Sequence, residues 1–82
     1  MKVLWTKKGL KQFHSLSQYI HDQFGGNSSL KFNDKVFHCI QLLERFPLLG
    51  SIEVEDKNIR GILISKQTRV FYRVNKNHIS IL

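Results

Sequence analysis

In 82 residues the chain has one cysteine, one proline and one tryptophan, and only six acidic side chains. The single thiol, Cys39, rules out a disulfide within the chain and suits a reducing compartment. No apolar run approaches the ~20 residues that a bilayer span requires. The opening Met1-Lys2-Val3-Leu4-Trp5-Thr6-Lys7 also lacks the apolar core of a signal peptide, so the expected location is the cytoplasm, with no membrane partner. Repeats, low-complexity tracts and linkers are missing as well. A chain this short has room for one hydrophobic core, which makes residues 1–82 a single domain.

Motifs that carry chemistry are equally scarce. Gly25-Gly26 follows no strand and precedes no Lys-Ser or Lys-Thr pair, so it reads as a helix terminator and not as a phosphate loop. His14 and His21 stand about 10 Å apart along a helix, too far to share a metal without other ligands. His38 and Cys39 diverge around a helix, and His78 falls in a turn. Neither metal nor cofactor is expected. Cys39 lies inside an apolar helical pattern with no group placed to orient a base, and Glu53, Glu55 and Asp56 read as a solvated acidic cluster. No confident catalytic residue emerges.

What is present is positive charge. Thirteen Lys and Arg against six Asp and Glu give +7, which favours anionic partners. Between Lys57 and Leu82 there are six basic residues and no acidic one, so the last third holds most of the field. With 41% hydrophobic residues the chain is globular and not disordered.

The pattern along the chain predicts an α+β domain. Val3-Leu4-Trp5 is a short strand, and Thr6 caps a helix from Lys7 whose apolar stripe runs through Leu10, Phe13, Leu16, Ile20 and Phe24. Gly25-Gly26 ends it. Asn27-Ser28-Ser29 is the expected cap of a second helix, with Phe32, Val36, Phe37, Ile40, Leu43 and Phe46 on one stripe until Pro47 stops it. The expected loop between the helices has five residues, giving an antiparallel hairpin. Ile52-Glu53-Val54 alternates, and Ile59–Ser65, Thr68–Val74 and Ile79–Leu82 are rich in β-branched and aromatic residues. These last three form an antiparallel meander, joined by Lys66-Gln67 and by Asn75-Lys76-Asn77-His78, with Val3–Trp5 as a candidate fourth strand.

Strand parity gives the functional expectation. Ile59, Gly61, Leu63, Val70, Tyr72 and Val74 are assigned to the helix-covered side, which leaves Arg60, Ile62, Ile64, Arg69, Phe71 and Arg73 on the open face. Ile62, Ile64 and Phe71 are then apolar residues awaiting a partner. Arg60, Arg69 and Arg73, with Lys57, Lys66 and Lys76 at the margins, are candidates for holding nucleic acid or another anionic target. A plain solubilising surface is the competing explanation of the charge.

Pro47-Leu48-Leu49-Gly50, Ile59-Arg60-Gly61-Ile62-Leu63-Ile64, Thr68-Arg69-Val70-Phe71-Tyr72-Arg73-Val74 and Ile79-Ser80-Ile81-Leu82 together resemble the RelE/ParE toxin superfamily, as does Val3-Leu4-Trp5-Thr6 before a basic helix. The resemblance implies a toxin with a helical hairpin on an antiparallel sheet, wrapped by a cognate antitoxin. RelE-type members cut mRNA on the ribosome, and ParE-type members inhibit DNA gyrase. Arg69 matches a basic residue of the RelE catalytic face, Arg60 matches a lysine there, and Ile62 replaces a second lysine. An aliphatic side chain can neither donate a proton nor ligate phosphate, so the chain leans to the ParE branch and to the plasmid stabilisation proteins within it. The alternatives are a ribosome-dependent mRNA endoribonuclease and a non-toxic nucleic-acid-binding regulator. Relatives continue past the last strand, so Leu82 reads as a shortened C-terminus, and self-association through the open face is the expectation without antitoxin.

Overall fold

The computed structural model describes residues 1–82. Strand β1 (Lys2–Trp5) leads into helix α1 (Lys7–Phe24) and helix α2 (Gly26–Arg45), followed by β2 (Ser51–Val54), a 3-10 turn (Glu55–Lys57), β3 (Ile59–Ser65), β4 (Thr68–Val74) and β5 (His78–Ile81). The five strands form one sheet in the order β1-β5-β4-β3-β2, with β1 parallel to β5 and every other pairing antiparallel. The α+β class holds, and the meander is one strand longer than expected because Ser51–Val54 pairs with β3.

The start of α1 is set by Thr6. Its hydroxyl oxygen accepts the Gly9 N–H at 3.0 Å and donates to the Ile81 carbonyl at 2.7 Å, so one side chain caps the helix and ties it to the last strand. The helices are joined by Gly25 alone, not by a five-residue loop. Its φ of 92° and ψ of 169° lie where only glycine sits without strain, which lets the chain reverse in a single residue. Asn27, Ser28 and Ser29 therefore belong to the first turn of α2, where Ser29 donates to the Gly26 carbonyl at 2.9 Å.

Cys39 and Leu43 of α2 meet Tyr72, Ile79 and Ile81 in the buried centre, flanked by Val3, Trp5, Ile62, Ile64, Val70 and Val74. This corrects the predicted faces of β3. Cross-strand partners share a face, and Arg60 stands opposite Tyr72 while Ile62 stands opposite Val70. Arg60, Ile62 and Ile64 are thus on the helix side, and Ile59, Gly61 and Leu63 are on the open side. A continuous ladder from Ser65 opposite Thr68 would have paired Leu63 with Val70, as the sequence pattern suggested. Instead the register shifts between Leu63 and Ser65, and a shift of one residue turns over the side chains on its far side from the turn, Ile59 to Leu63.

Candidate partner-binding face

The sheet side turned away from the helices carries Lys2 and Leu4 from β1, Arg69, Phe71 and Arg73 from β4, and Ile59, Gly61 and Leu63 from β3. Leu63 is 63% exposed, Leu4 42% and Phe71 40%, so this side is apolar as well as basic. Large solvent-facing apolar side chains interleaved with cations are characteristic of a surface that another chain covers. Of the three predicted apolar contacts only Phe71 is on it. Ile62 and Ile64 pack against the core because of the register shift in β3.

The predicted trio of arginines is divided in the same way. Arg69 and Arg73 share the open face, whereas Arg60 projects to the helix side and donates to the Gly50 carbonyl at 2.8 Å and the Leu48 carbonyl at 3.3 Å. There it joins Tyr72, whose hydroxyl donates to the Pro47 carbonyl at 2.9 Å and accepts the Gly50 N–H at 2.8 Å. Arg60 is thereby committed to holding the segment between α2 and β2. Lys66 is exposed in the β3–β4 turn.

Arg69 is positioned by two neighbours. Its guanidinium carbon lies 5.4 Å from the Phe71 ring centroid, and its Nη2 pairs with the Glu53 carboxylate. Glu53 reaches β4 from β2 by crossing β3 at Gly61, where a Cβ would come 2.9 Å from Glu53 Oε1 and 3.2 Å from Phe71 Cδ1. Glycine at 61 is the gap through which this ion pair forms. The pair was missed from sequence, where Glu53 read as one of three solvated carboxylates; the alternation of Ile52-Glu53-Val54 was the available signal.

Beside Arg69 an apolar groove of about 140 Å³ opens between the helices and the sheet, lined among others by Trp5, Phe13, Leu16, Val36, Val70 and Leu82. Arg69 and Phe71 of the open face also line it. Neither titratable group with a displaced pKa lies on this surface: burial raises Cys39, and burial raises Tyr72 against the opposing pull of the Gly50 N–H bond and the Arg60 charge. No group of three or more His, Cys, Asp and Glu side chains converges on a common point. The arrangement is suited to binding, through cations and apolar contact, more than to proton transfer.

The sequence matches over residues 3–82 the family described as "ParE toxin of type II toxin-antitoxin system, parDE". A solved structure titled "Chromosomal ParDE TA system from P. aeruginosa" is similar in fold, with a TM-score of 0.77 at 21% identity over 100% of this chain and 90% of that one. No curated protein matches the chain.

Proposed function

The chain belongs to the ParE toxin family of type II toxin-antitoxin systems, and from that premise we propose that it is kept silent by a cognate antitoxin bound over the open sheet face and acts on DNA gyrase when released. The observation that carries the antitoxin reading is the face itself: Leu4, Leu63 and Phe71 stand in solvent among Lys2, Arg69 and Arg73. An acidic amphipathic antitoxin segment complements both its apolar area and its charge, and a ligand that binds only the folded state stabilises a small domain by an amount that grows with the logarithm of its free concentration over Kd. The role proposed is plasmid stabilisation, exerted in the cytoplasm. Without antitoxin the same residues are available for self-association.

The ribonuclease alternative has less support. Arg60 and Arg69 point to opposite sides of the sheet, Arg60 is bonded to two backbone carbonyls, and Ile62 packs against the core, so the cations do not converge on one phosphate. Expressing the chain alone and with its antitoxin, while assaying purified protein on gyrase supercoiling and on programmed ribosomes, tests the target. The expected result is inhibition of supercoiling, relieved by antitoxin, with mRNA left intact. Cleavage of ribosome-bound mRNA with supercoiling unaffected would replace gyrase by the ribosome.

A further inference from the structure

The open face carries the cations Lys2, Arg69 and Arg73, and one carboxylate, Glu53, is paired there with Arg69, which lies over Phe71 and opposite Leu63. The backbone is arranged for this contact. The β2–β3 register shifts between Ile52 and Val54, which leaves Glu53 without a cross-strand partner, and Gly61 clears the path along which its side chain lies. Yet the product is an ion pair open to water, with the side chains 45% and 28% exposed for Arg69 and Glu53. Such pairs are weakly held and exchange readily, so stability is a poor reason for a register shift and a glycine.

We propose that Glu53 stands in for a partner's carboxylate: Arg69 is the carboxylate-binding residue of the open face, and an acidic segment of a partner protein engages it by displacing Glu53, which thereby sets the affinity for that partner. The inference rests on reading this face as the antitoxin-binding surface. A carboxylate already sits on the guanidinium, which demonstrates that the site accepts one. The surroundings select a protein segment over a nucleic-acid strand. Arg69 itself covers the Phe71 ring, the aromatic face on which a base would stack, and Leu63 and Leu4 offer apolar contact that a phosphodiester backbone does not use. No covalent bond changes; one ionic partner replaces another.

The test is fluorescence anisotropy at low salt with two labelled probes, a short oligoglutamate and an oligothymidylate of matched charge. Proteins compared are the parent, Glu53→Gln, Glu53→Gln combined with Arg69→Ala, and Glu55→Gln as a control that removes the same charge elsewhere. Glu53→Gln should tighten oligoglutamate binding roughly two- to fivefold, the range expected when a weak internal competitor is lost. Glu55→Gln should give less, and Arg69→Ala should abolish the gain. Gly61→Ala, which obstructs the route of Glu53 without changing charge, should reproduce part of it. An unchanged affinity for Glu53→Gln, a gain that survives loss of Arg69, or a gain confined to oligothymidylate would each overturn the proposal. None of these outcomes bears on whether the antitoxin covers the face, which is decided by titrating the antitoxin itself.

Discussion

Tyr72 takes a hydroxyl into a fully buried position and uses it twice, donating to Pro47 and accepting from Gly50. With Arg60 bonded to the Leu48 and Gly50 carbonyls, it fixes a segment that has no helix or strand ladder of its own. Gly50 is required there, since a Cβ would come 2.7 Å from the Gly61 carbonyl and 2.8 Å from the Tyr72 hydroxyl. Tyr72→Phe keeps the ring and orphans two backbone groups, so it should cost about 1–3 kcal/mol. Thermal unfolding would register this as a fall of roughly 4–8 °C per kcal/mol in a domain of this size. A pH signature accompanies it. Burial raises the Tyr72 pKa above its ordinary value of 10.0, so the folded chain holds this proton longer than the unfolded one. Its contribution to stability is complete below that value and is lost as pH climbs from there through the folded pKa. The phenylalanine variant should lack that component of the alkaline decline, and identical alkaline profiles for the two proteins would contradict the assignment.

At the scale of elements, the helices were legible because their apolar stripes, the Thr6 cap and Pro47 are local signals. The one-residue hairpin turn was not. A Gly-Gly-Asn-Ser-Ser run looks like loop and cap chemistry, and only the backbone angle of Gly25 reveals that the second helix begins at once. Gly25→Ala should therefore destabilise the chain by about 1–3 kcal/mol although a Cβ there meets nothing within 4 Å. Chemical denaturation with an unchanged midpoint would show that the turn tolerates an L side chain. For the sheet, alternation identified β3 and β4 and assigned β4 to the right faces. Parity failed in β3, because the shift near Ile64 is a property of pairing with β4 and leaves no mark within the strand. The same limit hid the ion pair, since the crossing of Glu53 over Gly61 links three strands at once.

For the molecule as a whole, two layers explain the outer face. The helical hairpin covers one side of the sheet, and no second layer covers the other, so Leu4, Leu63 and Phe71 face solvent on a chain of net charge +7. The molecule measures 38 × 21 × 21 Å. An acidic, amphipathic partner is the occupant that suits this field and these side chains, and we propose the antitoxin as that partner. Calorimetric titration of the cognate antitoxin into parent protein and into Phe71→Asp tests it most directly, with thermal unfolding of each free protein as a check on folding. Phe71→Asp should weaken the Kd by about thirtyfold or more, a hot-spot loss of at least ~2 kcal/mol, while the variant stays folded. An unchanged Kd in a folded Phe71→Asp variant would place the antitoxin on another surface of the molecule.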